Sequence, residues 1–193
     1  MSRAAVACFW ACIGGCAWVL GGYPAMLAAL RPRPWRRGDR LPQVTIVIPA
    51  YREREHLRQK LTAIHELDYP RDRFDVIVAV DEDRELARIA AEAYPRATVL
   101  FSPQRRGKAA GLNRALASAG GDVVVMTDAN NVLEPGSLRA AVRHFADHDV
   151  WAVAGRREET ESVYERYENL IRRLESRSGS VAAMSGEFMA VRR

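Results

Sequence analysis

The sequence predicts an α/β fold in which a mostly parallel sheet carries helices on both faces and follows one N-terminal transmembrane helix. Three observations predict this fold class. Five short apolar runs, typical of strands that are buried on both faces, alternate with helical patterns along the chain. Residues 4–30 contain no charged side chain and are long enough to cross a bilayer. Between these two parts, residues 31–43 carry three prolines and five arginines, as expected of an extended linker.

Residues 1–30 are interpreted as an uncleaved membrane anchor. The arginine excess lies on its C-terminal side, in the linker 31–43, so the positive-inside rule places the remaining chain in the cytoplasm. A cleaved signal peptide is the alternative, but it would have its positive charge in front of a shorter apolar core. All three cysteines fall inside the anchor, which leaves no disulfide framework for the single domain expected at 44–193.

The strands and helices of this domain are predicted from apolar runs and from the glycine and proline residues that separate them. Strands are predicted at Val44–Ile48, Phe74–Val80, Thr98–Phe101, Val123–Met126 and Val150–Ala154, with a further strand at Glu187–Arg192. Helices are predicted at about 53–67, 84–94, 108–119, 136–147 and 160–177. Pro135 opens the fourth of these helices, and the pair Gly120-Gly121 ends the third. Trp151, in the fifth strand, is expected in the core.

The charge of the chain narrows the classes of partner. The formal net charge is +5, and Lys60 and Lys108 are the only lysines among the basic residues. Such a balance suits an anionic substrate or a membrane surface. A nucleic-acid partner is not expected, since the basic residues are not interleaved with aromatic ones on one face and form no known module.

The segment 122–131, DVVVMTDANN, suggests a metal site. Its apolar strand ends abruptly in Asp128, and Asn130 follows two positions later. In an open parallel sheet, ligands bind outside the carboxyl ends of the strands. A carboxylate and an amide oxygen at that place suit a hard cation, Mg²⁺ or Mn²⁺, which would hold a diphosphate. The alternative is an ordinary Asx turn at the end of a strand.

Two other strand ends and one helix start have related chemistry. The first strand leads into Tyr51 and Glu53, and the second ends in three acids that begin at Asp81. Clustered acids destabilise one another unless they face a cation or hydrogen-bond donors. A solvated loop is the alternative for each strand end taken alone, but repetition at three carboxyl ends predicts one common crevice. The helix that begins near Lys108 follows two arginines, and its free N–H groups would seat a phosphate. The spacing is not that of a P-loop, and no Gly-x-Gly-x-x-Gly follows a strand, which disfavours a dinucleotide oxidoreductase.

In this order, the motifs resemble those of family 2 glycosyltransferases, which have the Rossmann-like GT-A fold. The matching strings are VTIVIPAYRERE, VIVAVDED, RRGKAAGLNRAL, VVVMTDANNVLEPGSL and SGEFMAVRR. They run from about Val44 to Arg193, and the nearest likeness is to the membrane-bound branch that synthesises polysaccharides. The resemblance implies that this whole segment is a GT-A domain.

The resemblance implies a site for a nucleotide sugar, with roles for individual residues. Ala50, Tyr51 and Glu53 would border the base and the ribose of the nucleotide. Asp81 matches the acid on the uracil side of a UDP-sugar, and Lys108 falls in the loop that passes close to the nucleotide.

The resemblance also implies a metal site and an acceptor side. Asp128 and Asn130 match the two ends of an Asp-x-Asp motif, so Mg²⁺ or Mn²⁺ is the expected cofactor. The second acid of the motif is an amide here, which is a neutral and weaker ligand. Gly186 and Glu187 match the segment on the acceptor side of the pocket.

The implied activity is inverting transfer of a sugar from a nucleoside diphosphate sugar, UDP-linked, to a glycan or lipid acceptor at the cytoplasmic membrane face. The family places its general base shortly beyond the position of Arg193, so the sequence is interpreted as truncated. One alternative is a catalytically incomplete nucleotide-sugar-binding fragment or partner subunit that lacks this base. Another is a sugar nucleotidyltransferase, but that class needs a Gly-rich loop after the first strand, where PAYRERE has no glycine.

Overall fold

The computed structural model describes residues 2–155, 162–184 and 186–193. In chain order, the elements are α1 (Arg3–Ala17), α2 (Tyr23–Ala29), β1 (Val44–Ala50), α3 (Arg54–Ile64), β2 (Phe74–Asp81), α4 (Arg84–Ala93), β3 (Thr98–Ser102), α5 (Lys108–Ser118), β4 (Val123–Thr127), α6 (Ser137–Val142), β5 (Ala152–Ala154), α7 (Val163–Ser178) and β6 (Phe188–Arg192). A π-helical turn, Trp18–Gly22, joins α1 to α2, and a 3₁₀ turn, Arg143–Ala146, follows α6. Two compact units form, Met1–Pro34 with Arg157–Met184 and Trp35–Arg156 with Ser185–Arg193.

The second unit contains a six-stranded sheet with the order β3-β2-β1-β4-β6-β5. Strand β1 pairs in parallel with both β2 and β4, so Val44 lies opposite Phe74 on one side and Val123 on the other. Strand β3 is parallel to β2, whereas β6 is antiparallel to β4 and to β5. The predicted α/β class with a mostly parallel sheet is confirmed.

Helices cover the sheet on both faces because its central strand directs apolar side chains alternately to each face. Ile46 belongs to a core cluster that also contains Leu57 of α3 and Leu138 of α6. Val47, the next residue along β1, belongs to a second cluster with Ala115 of α5. Burial of both faces explains why the strands are continuous apolar runs.

The helices differ from the predicted ones mainly at their ends. The first helix of the domain ends at Ile64, three residues before the predicted end, and the fourth tightens into a 3₁₀ turn after Val142. Helix ends commonly shift in this way because the last turn lacks partners for its backbone carbonyls. Residues 160 and 161, at the start of the last predicted helix, lie outside the described residues.

The prediction that Trp151 lies in the core was wrong. Trp151 is 68% exposed and precedes β5, which is only three residues long. Strand β5 lies at the edge of the sheet, where Ala152 and Ala154 are exposed as well. Its apolar run resembles that of a central strand, and the sequence alone does not show which strand forms the edge.

The first unit contains α1, α2 and α7. Arg3–Ala29 forms 27 residues of helix with a mean hydropathy of 1.8 in its most apolar window, sufficient by length and composition to cross a membrane. A signal sequence meets the same criterion. Helix α7 begins with a capping box between Ser162 and Glu165. The hydroxyl of Tyr23 in α2 donates a 2.6 Å hydrogen bond to the buried carboxylate of Glu175 in α7.

One lysine lies inside the core of the second unit. Lys60 is fully buried on the face of α3 that also carries Leu61 and Ile64. Its Nζ donates hydrogen bonds to Thr127 Oγ1 at 2.8 Å and to the Asn131 carbonyl at 2.5 Å. These bonds satisfy an amine that would otherwise be costly to remove from water.

The burial of Lys60 should be visible in the pH dependence of stability. Burial lowers the pKa of Lys60 from 10.5 to about 7, and attraction to the Asp128 carboxylate offsets only part of this effect. Between these values the unfolded chain binds more protons than the folded chain, so the free energy of unfolding rises with pH. Relative to Lys60→Met, the wild-type protein should therefore gain stability between about pH 7 and about pH 9. Denaturant unfolding in detergent measures this difference, and a difference that stays constant across the window would contradict the assignment.

A close backbone contact fixes the junction between β1 and β4. The N–H of Gly121 donates to Thr45 Oγ1 at 3.0 Å, just before β4 begins. A Cβ at Gly121 would lie 2.7 Å from the backbone nitrogen of Thr45 and 2.8 Å from the carbonyl carbon of Val44. Backbone atoms cannot move aside as a flexible side chain can, so only glycine fits at this position.

Gly121→Ala is expected to lower the free energy of unfolding by about 1–3 kcal/mol, the usual cost of overpacking a rigid site. Gly120→Ala is the matched control, because a Cβ there meets nothing within 4 Å. This control should leave stability unchanged or raise it by about 0.5 kcal/mol. Thermal unfolding of the three proteins checks the prediction, and equal midpoints for the two alanine variants would count against the close contact.

Candidate functional site

A cavity of about 280 Å³ opens where β1, β2 and β4 end and α5 begins. Parallel pairing brings the carboxyl ends of these strands to one edge of the sheet, where ligands of open α/β sheets bind. The residues that line the cavity are Pro49, Ala50, Tyr51, Glu53, Ala79, Asp81, Arg105, Gly107, Lys108, Gly111, Asp128, Ala129 and Asn130. All the residues predicted on the donor and metal side of the site are among them.

Asp81 joins the end of β2 to the loop that leads into α5. Its Oδ2 accepts hydrogen bonds from the backbone N–H groups of Arg106 and Gly107 at 2.9 and 2.8 Å. Its Oδ1 accepts a hydrogen bond from the Arg114 guanidinium at 3.0 Å. Gly107 has a φ of +84°, in the left-handed region that favours glycine. Asp81 therefore holds the loop in front of Lys108 against the strand end.

Tyr51 and Arg105 form one wall of the cavity. The guanidinium carbon of Arg105 lies 4.6 Å from the centroid of the Tyr51 ring, and the Tyr51 hydroxyl donates to Glu82 Oε2 at 3.3 Å. Glu82 and Arg52 both have positive φ, 64° and 59°. Left-handed residues with side chains cost free energy and cluster at functional sites. The guanidinium carbon of Arg52 also lies 5.0 Å from the Tyr51 centroid, so the wall presents cations that are held by the ring to an anionic ligand.

Asp128 and Asn130 line the cavity on either side of the buried Ala129. The Asp128 side chain is 28% exposed, and its Oδ1 lies 2.6 Å from Lys108 Nζ. One carboxylate and one amide fit Mg²⁺ or Mn²⁺ when phosphates and water complete the coordination shell, which is how Mg²⁺ usually binds. Within residues 2–155, 162–184 and 186–193, no cluster of three or more His, Cys, Asp or Glu side chains could hold a metal ion alone.

The two residues predicted on the acceptor side lie next to Lys108 and the end of β4 without lining the cavity. Gly186 and Glu187 form a turn before β6, and a Cβ at Gly186 would lie 4.0 Å from Lys108 Nζ. The Glu187 carbonyl accepts hydrogen bonds from Thr127 Oγ1 at 2.8 Å and from Asn131 Nδ2 at 3.2 Å. Antiparallel pairing of β6 with β4 thus brings this turn to the end of β4.

Two residues that support the site were missed in the sequence. Arg114 reaches Asp81 from the second turn of α5, 33 positions away in sequence, and no local pattern reveals that pair. Lys60 did leave a signal, because it interrupts the apolar stripe of α3 beside Leu61. A charged residue in such a stripe either reaches solvent at the border of the apolar face or forms hydrogen bonds and ion pairs inside the core.

Comparisons with known proteins agree with this geometry. The family described as "Glycosyl transferase family 2" matches residues 45–190. The probable glycosyltransferase YdaM of Bacillus subtilis (strain 168) is 34% identical in an alignment over 123 residues that covers 59% of this chain and 29% of that protein. Glycosyltransferase AglE of Haloferax volcanii is 28% identical in an alignment over 92 residues that covers 46% of this chain and 30% of that protein.

Solved structures show the same fold. Mannosyltransferase PcManGT from Pyrobaculum calidifontis, in complex with GDP-Man and Mn²⁺, superposes with a TM-score of 0.76 at 30% identity over 92% of this chain. TarS of S. aureus, in complex with UDP-GlcNAc, superposes with a TM-score of 0.51 at 18% identity, over 61% of this chain and 37% of that chain, which shows the fold alone. This chain spans only 54% of the mannosyltransferase chain. Since the family match extends over most of its residues, the chain belongs to glycosyl transferase family 2.

Proposed function

We propose that this protein transfers a sugar, with inversion, from a nucleoside diphosphate sugar to a glycan or lipid acceptor. The observation that carries the proposal is the meeting of Asp81, Lys108, Asp128 and Asn130 at one cavity, at the carboxyl ends of parallel strands. Membership of the family supports the reaction class. The similar mannosyltransferase was solved with GDP-Man and Mn²⁺, a donor and a metal of this kind.

The leaving group of such a transfer is a nucleoside diphosphate, so the site must stabilise charge that develops on the β-phosphate. Lys108 and Arg105 provide two cations at the cavity. The side chains of Lys108 and Asp128 are 55% and 28% exposed, so Lys108 can exchange its bond with Asp128 for one with a phosphate oxygen. A divalent cation held by Asp128 and Asn130 would supply Lewis-acid stabilisation of the same charge.

The nucleoside is proposed to bind between the Tyr51 wall and Asp81. Uridine is the proposed base, because Asp81 matches the acid on the uracil side of family donors. Asp81 accepts three hydrogen bonds from its own chain, and a carboxylate has about four lone-pair sites, so one site remains for a base N–H. Guanosine is the competing base, since the similar mannosyltransferase was solved with GDP-Man.

Transfer is proposed to take place at the cytoplasmic face of a membrane. The apolar helix Arg3–Ala29 supports this location, and the arginines of residues 31–43 support the orientation. The turn formed by Gly186 and Glu187 is the proposed approach of the acceptor, because it lies beside Lys108. The acceptor hydroxyl would attack the anomeric carbon from the face opposite the diphosphate and give its proton to a general base.

The second candidate is nucleotide-sugar binding without transfer. This candidate is favoured by the ion pairs that the carboxylates lining the cavity already form. Two of these three side chains already bind cations of the chain, Asp81 to Arg114 and Asp128 to Lys108, while the third is Glu53. Asp81 stays paired with Arg114, and Asp128 would bind the divalent cation of the proposed site, so neither of these two carboxylates would take the proton of an acceptor.

Calorimetry of the full chain in detergent tests the proposal, with UDP and GDP each titrated in the presence and absence of Mn²⁺. We expect one of them to bind and Mn²⁺ to strengthen the binding. A preference for GDP would replace uridine by guanosine in the proposal, and absence of binding by both would overturn it. Release of nucleotide from the preferred sugar donor, measured with membrane extracts as acceptor, separates transfer from the second candidate.

Substitutions in the metal motif should change the effect of Mn²⁺ in opposite directions. Asp128→Ala removes the carboxylate ligand, so the strengthening of nucleotide binding by Mn²⁺ should disappear. Asn130→Asp adds a second carboxylate, so the strengthening should grow by roughly tenfold, about 1.4 kcal/mol. Paired titrations with and without Mn²⁺ measure both effects.

Asp72→Ala is the control for lost charge, because Asp72 is exposed and precedes β2 at the opposite edge of the sheet. Its nucleotide affinity and its response to Mn²⁺ should match those of the wild-type protein. An equal Mn²⁺ effect in wild type, Asp128→Ala and Asn130→Asp would exclude this segment as the metal site.

A further inference from the structure

We infer that Lys60 is a positioning residue of the site, which holds the Asp128–Asn130 segment and the Glu187 carbonyl in one arrangement. The inference deepens the proposed function and rests on it, because the arrangement matters only if this segment binds the metal and the diphosphate. Lys60 itself does not line the cavity.

The hydrogen bonds of Lys60 hold both ends of the Asp128–Asn130 segment, here called the metal segment, from the side of the core. Its Nζ donates to the Thr127 side chain, directly before Asp128, and to the Asn131 carbonyl, directly after Asn130. One buried amine thus fixes both ends of a three-residue segment. The loop between these two anchors can move little without breaking one of the bonds.

The same network extends to the acceptor side. Thr127 Oγ1 accepts from Lys60 and donates to the Glu187 carbonyl at 2.8 Å. Asn131 offers its carbonyl to Lys60 and donates from Nδ2 to the same Glu187 carbonyl at 3.2 Å. Lys60 therefore connects the segment after β4 with the turn before β6, and a shift of one is transmitted to the other.

A purely structural role does not account for a lysine at this position. The neighbours of Lys60 on the buried face of α3, Leu61 and Ile64, are apolar, and a methionine would fill the same space without the cost of burying an amine. That cost is offset here by two hydrogen bonds to the residues that flank the metal segment. Groups behind a metal site that orient its ligands commonly change affinity by about 10–100-fold when they are removed.

Hydrogen exchange of the ligand-free protein tests the positioning without any nucleotide. Lys60→Met should raise exchange at the amides of 128–131 and 187–188 by about tenfold or more, and leave the amides of β2 and β3 as in the wild type. Ile64→Val is the matched control, because it shortens a buried side chain on the same face of α3 and touches none of these hydrogen bonds. Exchange in Lys60→Met that equals that of Ile64→Val at both segments would overturn the inference.

Calorimetry with the preferred nucleotide and Mn²⁺ tests the consequence for the site. Lys60→Met should bind about 10–100-fold more weakly than wild type, while Ile64→Val binds as wild type. Thr127→Val should reproduce the loss, and Thr127→Ser, which keeps the hydroxyl, should recover most of the affinity. Unchanged affinity in Lys60→Met would overturn the inference and leave the proposed function standing. Absence of binding by the wild type would instead overturn both, whatever the exchange data show.

Discussion

The parallel pairing of β1 with both β2 and β4 is the constraint on which the site depends. Because the three strands run in the same direction, their last residues emerge at one edge of the sheet. Tyr51, Asp81 and Asp128, which are far apart in sequence, line one cavity for this reason. The tight approach of Gly121 to the backbone of β1 secures the β4 side of the pairing. The helices on both faces then cover the middle of these strands, and the cavity opens at their carboxyl ends.

Acidic side chains that meet at the ends of neighbouring strands are stabilised by nearby cations, and in this chain the cations come from several elements. Arg114 and two backbone N–H groups bind Asp81, and Lys108 binds Asp128 from the cavity. Lys60 approaches the same strand end from the core. The only two lysines of the chain therefore meet at one short segment, whereas the other 27 of its 29 lysine and arginine residues are arginines. An amine is compact enough to be buried among apolar side chains with two hydrogen bonds, which a guanidinium with five N–H groups is not.

The sequence predicts most of the fold because buried parallel strands leave continuous apolar runs. The residues predicted on the donor and metal side also line the cavity, since each lies at the end of a strand, within three positions after one, or at the start of a helix. The edge position of β5 could not be predicted from its apolar run, so Trp151 was expected in the core. The role of Arg114 could not be predicted from its neighbours in sequence either, because its partner Asp81 lies at the end of β2, 33 positions away. Lys60 could have been suspected from its place in an apolar stripe, but its partners depend on how α3 packs against β4.

The position of β6 has a consequence for the order in which the protein assembles during synthesis. Strand β6 lies between β4 and β5 in the sheet, yet the chain makes residues 157–184, which belong to the other unit, before it. On the ribosome, each of β1 to β4 can pair with its partner strands as soon as it emerges. Strand β5 cannot pair until β6 has been made, and until then β4 has one unpaired edge. The insertion of residues 188–192 closes that edge and delivers the Glu187 carbonyl to its donors. The part of the cavity that Asp81 and Asp128 line is thus built first, and the turn of Gly186 and Glu187 joins it with a late strand insertion.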